Sequence, residues 1–198
     1  IYSKAVKNFL KTSGASKIAN WEKYAKLARR GKITYEEALS YWLRECGIKG
    51  EDVVRKFISF ENKLLKRALI FRGEKILKVL SKRIKIIGLT DSPHSAEKIR
   101  KILRIGKIEK YFHDILTSHD IGMEKPTAFK YMLDKFGNFI FLGHDDEEIE
   151  GAKKLGILTI GLKNRKADFT IETLQELIPL LEKIDLKNSK TTTNEIGN

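Results

Sequence analysis

Carboxylates are the most concentrated chemistry in this sequence. Asp145, Asp146 and Glu147 stand together, with Glu148 and Glu150 just behind, in the stretch NFIFLGHDDEEIEGAKKLG from Asn138 to Gly156. Acids at this density repel one another unless a lysine, a divalent cation or water holds them, and oxygen-only ligands favour Mg²⁺. The alternative is a solvated, acidic first turn of a helix, which the helix dipole also favours. The flanking residues read as strand then helix. Phe139-Ile140-Phe141-Leu142 has the pattern of a buried parallel strand, and Ile149, Ala152 and Leu155 recur on one helical face. Acids at the carboxyl end of a strand, where a helix begins, sit at the usual ligand crevice of an open α/β sheet.

Two other strand ends offer complementary groups. Thr90 closes the run Ile84-Lys85-Ile86-Ile87-Gly88-Leu89, and its hydroxyl can donate to an anionic oxygen. Ser92 and the amides at the start of the next helix can add donors, as helix N-termini attract anions. Lys125 lies in the loop Gly122-Met123-Glu124-Lys125-Pro126, where Pro126 holds the residue before it extended. Hydroxyl, lysine and carboxylates together suit a phosphoryl group with Mg²⁺. Each piece also has a plain structural role: Thr90 as a helix cap, Lys125 as a solvated loop lysine, the acids as a helix first turn.

The elements that must position these groups fall into two patterns. Residues 2–11, 17–30, 34–46 and about 50–69 read as amphipathic helices, with Thr34 and Glu37 spaced as a capping box. Consecutive helices without a strand signal predict a small helical bundle. Trp21, Tyr24, Tyr41, Trp42, Phe57 and Phe60 recur at helical spacing and are read as its core. After Phe71-Arg72-Gly73, strands at 84–89, 114–118, 139–142 and 157–161 alternate with helices, which predicts a parallel sheet covered by helices. Four strands are few for an open sheet. The chain opens at Ile1 rather than methionine, and a strand ahead of residue 1 is expected to complete it. The pattern therefore divides the chain into a helical front over residues 1–70, a core of alternating strands and helices over 71–186 and a polar tail over 187–198 that frays.

Composition bounds the function. The 198 residues are 33% charged and 41% hydrophobic. A helix needs an apolar run of about 20 residues to cross a bilayer, and no run in this sequence approaches that. The single cysteine, Cys46, excludes an internal disulfide framework and fits a reducing, cytoplasmic interior. Abundant Lys, Ile and Glu with one glutamine, Gln175, lean towards a thermophile. The net charge is +13, and residues 1–70 carry most of it, with 16 Lys+Arg against 7 Asp+Glu. A basic surface steers anionic partners. No arginine-rich run or nucleic-acid-binding motif is present, so a small anionic substrate is favoured over nucleic acid.

The order of these motifs resembles the haloacid dehalogenase-like hydrolase superfamily over roughly residues 1–186. Thr90 in IIGLTDS matches the strand-end Thr or Ser, Lys125-Pro126 in GMEKP matches the Lys-Pro, and GHDDEEIEGAKKLG matches the acidic motif in part. The resemblance implies a Rossmann-like parallel-sheet core over 71–186 with an all-helical cap over 14–70, joined by a core-to-cap helix at 1–13. It implies a Mg²⁺-dependent phosphomonoesterase acting on a small phosphorylated metabolite through an aspartyl phosphate. Thr90 and Lys125 would be catalytic; Thr90, Asp91, Ser92 and Lys125 would bind substrate; Asp145, Glu148 and His144 would hold the metal.

Two departures stand out. The family's nucleophilic Asp-x-Asp does not occur in the sequence, and is expected upstream of Ile1. His144 occupies the place where the family has its first metal-holding Asp, and imidazole is a poor Mg²⁺ ligand. Two alternatives follow: a 2-haloacid dehalogenase-type hydrolase, which needs no Mg²⁺, and a non-catalytic phosphate- or partner-binding module without the nucleophile.

Overall fold

The computed structural model describes residues 2–50, 52–68 and 73–184. In chain order its main elements are α1 (Tyr2–Thr12), α2 (Trp21–Arg29), α3 (Tyr35–Glu45), α4 (Val53–Ala68), α5 (Glu74–Leu80), β1 (Ile87–Thr90) and α6 (Ala96–Ile105). There follow β2 (Asp114–Thr117), the single-turn α7 (Ser118–Ile121), α8 (Ala128–Phe136), β3 (Ile140–Gly143), α9 (Asp146–Lys154), β4 (Leu158–Leu162) and β5 (Phe169–Ile171). The expected polar tail at 187–198 and the Phe71-Arg72 part of the expected break lie outside the described residues. The described residues form two compact units, one within 1–72 and 85–125, the other within 73–84 and 126–198.

The first unit joins the four-helix segment to the β1–β2 region. Thr34 and Glu37 form the expected capping box, with the Glu37 N–H donating to Thr34 Oγ1 at 3.2 Å and the Thr34 N–H to Glu37 Oε2 at 2.7 Å. The helix expected from residue 17 begins only at Trp21, because Asn20 Oδ1 accepts the Glu22 N–H and caps it there. Leu10, Leu39, Trp42, Leu43, Cys46 and Phe57 make the buried core of this segment. Apolar stripes on separate helices converge because burying them together removes their surface from water. Cys46 is fully buried and its Sγ accepts the Ala19 N–H at 3.4 Å, a structural thiol as expected. Tyr41 is a correction to the expected core: it is 45% exposed.

β1 and β2 pair in parallel, with Thr90 opposite Thr117 at the last position. In the second unit β3, β4 and β5 form a parallel sheet in that order. The strands expected from sequence are present, and β5 is an addition that three residues were too short to signal. Among the described residues, the strands pair as two parallel sheets, β1–β2 and β3–β4–β5. The burial expected for Phe139–Leu142 is corrected. Ile140 and Leu142, two positions apart and so on one face of β3, are 39% and 38% exposed because that face is incompletely covered. Gly151 explains part of the glycine spacing in α9. A Cβ there would overlap the Pro126 ring, so only glycine lets α9 pass that close.

Candidate active site

Thr90 is half-buried at the carboxyl end of β1, and the chain turns immediately after it. Ser92, 7% exposed, fixes that turn. Its N–H donates to Ser118 Oγ at 3.0 Å, the Ser118 hydroxyl donates back to the Ser92 carbonyl at 3.2 Å, and Ser92 Oγ accepts the His94 N–H at 3.1 Å. Ser92 thus shapes the loop with both its backbone and its hydroxyl. Two of the amides at the start of α6, a region expected to add anion donors, are engaged within the chain. The Ala96 N–H donates to Asp120 Oδ2 at 2.6 Å and the Lys98 N–H to Ser95 Oγ at 3.4 Å. Asp120 also accepts the Thr117 hydroxyl, tying the end of β2 to the start of α6.

The Lys125 loop is brought to the same turn. Gly122 ends α7 with φ +70, a left-handed conformation that glycine adopts at no steric cost. Three residues on, the Lys125 N–H donates to Asp91 Oδ1 at 3.0 Å, and Lys125 Nζ lies 3.9 Å from Asp91 Oδ2. The Lys125 side chain is only 13% exposed, the opposite of a solvated loop lysine. Four predicted residues, Thr90, Asp91, Ser92 and Lys125, are therefore gathered by contacts within the first unit, with Asp91 as the fastener.

Burial and aromatic packing complete this region. Tyr35 of α3 donates its hydroxyl to both oxygens of Glu61 on α4, at 2.8 and 2.9 Å, and its ring packs on His94 with centroids 3.9 Å apart. Burial pushes the His94 imidazole below its ordinary range, against a partial upward pull from Glu61, because a charged ring is disfavoured away from water.

The acidic residues belong to the second unit. Asp145 caps α9, its Oδ1 accepting the Glu147 and Glu148 N–H groups at 3.0 and 3.3 Å. Asp146 pairs with Lys166 at 3.0 Å and accepts the Asn164 amide at 2.8 Å. These contacts, Lys166 first, hold its carboxyl below the usual range, since each favours the charged form. Asn164 is 6% exposed and also donates to the His144 carbonyl at 3.1 Å, while its Oδ1 accepts the Lys166 N–H. The helix-first-turn alternative therefore describes much of what these acids do. Sequence reasoning missed Asn164 and Lys166. Their position just past the carboxyl end of β4 was the one available signal.

The donor types suit Mg²⁺ in part. Asp145 and the half-buried Glu148 offer hard carboxylate oxygens, and Mg²⁺ is usually held by one or two carboxylates with phosphate and water completing its shell. Among the described residues no three potential ligands gather into a ready-made cage, and His144 is exposed.

A fold of parallel strands and helices with a helical cap, ending its strands in Thr90, a Lys-Pro loop and an acidic helix start, is similar to that of the haloacid dehalogenase-like hydrolases. It is 30% identical over 114 residues to glyceraldehyde 3-phosphate phosphatase of Methanocaldococcus jannaschii, covering 50% of each chain. It is 25% identical over 117 residues to the protein of that name from Methanopyrus kandleri, again covering 50% of each. The chain spans about half the length of these curated relatives. No family model matches. Among solved structures, it resembles the Bacillus subtilis HAD-hydrolase candidate YfnB bound to magnesium, with a TM-score of 0.60, 19% identity and coverage of 91% of this chain and 90% of the other. A HAD phosphatase from Thermococcus onnurineus gives a TM-score of 0.53, 22% identity and coverage of 89% and 90%.

Proposed function

We propose that this chain forms part of a phosphomonoesterase acting on a small phosphorylated metabolite, with Mg²⁺ as its cofactor. The observation that carries this reading is the fastening of the Lys125 loop to Asp91, the residue directly beyond Thr90, with the Lys125 side chain shielded from water. In the proposed reaction an aspartate oxygen attacks phosphorus, the P–O ester bond breaks and the alcohol leaves with a proton. Water then cleaves the aspartyl phosphate to inorganic phosphate. No Asp-x-Asp occurs in this sequence, and the attacking aspartate is proposed to come from outside it.

Within this chain, Lys125 and Thr90 hold the phosphoryl oxygens, a fixed positive charge and a hydroxyl donor at a place where negative charge is redistributed in the transition state. Asp91 acts through the loop backbone and Ser92 through the turn. Asp145 and Glu148 would hold Mg²⁺, which would supply neutralising positive charge to the reaction. Tyr35, Glu61 and His94 bring the helical segment against the turn that carries Thr90, so the helical residues can cover a substrate there and exclude water. The names of the curated relatives make glyceraldehyde 3-phosphate the first substrate to try.

A second reading, a non-catalytic phosphate-binding module, is favoured by the absent Asp-x-Asp. Phosphate release from p-nitrophenyl phosphate and glyceraldehyde 3-phosphate, with and without Mg²⁺, separates them. This chain and the product of its complete reading frame are both assayed. Mg²⁺-dependent turnover by the complete product supports the phosphatase. Phosphate binding without turnover by either sample favours the module, and neither binding nor turnover rejects both.

A further inference from the structure

The Lys125 loop has a second attachment, made to the helical segment. Arg29 lies in the last turn of α2, and its Nε donates to Glu124 Oε1 at 2.9 Å. The same guanidinium is held by Glu22, two turns earlier on the same helix. Its side chain is only 15% exposed, and the two carboxylates hold its charge firmly, Glu22 being the larger influence. Around this pair α2 and the α7 region meet closely. His119 Nδ1 lies 2.8 Å from the Ala28 carbonyl, and a Cβ on Gly31 would come within 2.8 Å of the His119 carbonyl oxygen. Glu124 is therefore tied to a helix docked against its own loop, rather than to a solvated surface lysine.

Glu124 and Lys125 are adjacent, and their anchors lie on different elements. Asp91 takes the Lys125 N–H from the β1 side, and Arg29 takes the Glu124 carboxylate from the α2 side. With Arg29 removed, the loop loses this second anchor, and a carboxylate without its guanidinium stands one residue from the ammonium that the phosphatase reading assigns to phosphate. A guanidinium does this better than an ammonium, since its planar fork can serve two carboxylates at once.

We infer that Arg29 is a positioning residue for Lys125, acting through Glu124 and linking the helical segment to the phosphate-holding loop. The functional half of the inference rests on the phosphatase reading; the structural half does not. The two are tested separately.

For the structural half, this chain is treated with an amine-modifying reagent, and the modification rate of Lys125 is followed by peptide mass spectrometry with exposed Lys11 as the internal standard. Breaking the pair from either side releases the same loop. Arg29→Ala, Glu124→Gln and the double variant should each raise the Lys125 rate by a similar factor, about fivefold, since contacting partners are non-additive. Arg29→Lys should restore much of the protection. Glu124→Gln guards against an Arg29→Ala variant that fails to fold. An unchanged Lys125 rate in Glu124→Gln, or a double variant equal to the product of the two singles, overturns the inference.

For the functional half, Arg29→Ala in the complete protein should lower kcat for p-nitrophenyl phosphate by about tenfold with KM little changed, as expected for a misplaced catalytic group. A rise in KM alone would place Arg29 in substrate binding and overturn its positioning role. A complete wild-type protein without phosphatase activity would reject the phosphatase reading, while the labelling result would stand.

Discussion

The Thr90–Lys125 region and the Asp145–Glu150 region look alike in sequence, each a polar loop after an apolar strand, yet they are built differently. In the first, polar groups are fastened over long sequence distances: Lys125 to Asp91, Ser92 to Ser118, Glu124 to Arg29. In the second, Asp145 and Asp146 serve the helix they open and the next loop: Asp145 as its cap, Asp146 on Asn164 and Lys166. The most conspicuous charge cluster is thus substantially explained by local structure, since the first amides of a helix need an acceptor. A shielded lysine has no such local reason. Its low exposure, 13%, is maintained by tertiary contacts, which makes Lys125 the stronger functional marker.

The sharpest way to break this contrast is Lys125→Ala in the complete protein. It should cut kcat for a phosphate ester by about 10²–10³-fold, the usual loss of a transition-state charge contact, with little change in melting temperature. Activity within about twofold of wild type would remove the first region from the chemistry. In the second region the larger expected effect is on stability. Asn164→Ala leaves the His144 carbonyl and Asp146 without a buried donor. Because both acceptors are exposed to water, losing this donor should cost about 1 kcal/mol in urea unfolding. A cost near zero would mean that the loop is held without Asn164.

Asp145 separates cap from metal ligand. Asp145→Ala should cost about 1 kcal/mol and Asp145→Asn much less, because asparagine caps as well as aspartate. Asp145→Asn should nevertheless raise the Mg²⁺ concentration needed for half-maximal activity, and an unchanged requirement would confine Asp145 to capping.

The smallest effect concerns His94, whose imidazole faces Glu61 and Glu36 as well as Lys98 and His119. Burial depresses its folded-state value, so the unfolded chain takes up a proton first as pH falls. The associated stability is present above the ordinary histidine value of about 6.5 and is lost as pH falls from there towards the depressed value. Melting temperatures of wild type and His94→Gln should therefore diverge in their pH slope below about 6.5. Parallel slopes would show that His94 is not buried as a neutral base.

Much of the fold was legible without coordinates because it depends on short-range patterns. The Thr34–Glu37 capping box, the apolar stripes and the strand-then-helix alternation each fit within one element or two. Boundaries moved where one residue decided them, as at Asn20. β5 escaped notice because so short a strand carries no period, and the exposure of Ile140 and Leu142 escaped because an apolar run does not say how fully each face of a strand will be covered.

The residue types at the three strand ends were determined by sequence alone, and so was their order: Thr90, then Lys125-Pro126, then the acids from Asp145. The net charge and its bias to the helical front of the chain were too. Only the tertiary structure decided what each group is engaged with. Asp91 became the acceptor for a lysine 34 positions away, Arg29 the partner of Glu124 across 95 positions, and Asn164 the holder of Asp146. Such pairings follow no helical or strand period. They arise when packing buries one polar member of each pair, Lys125, Arg29 or Asn164, which must then find its partner elsewhere in the chain.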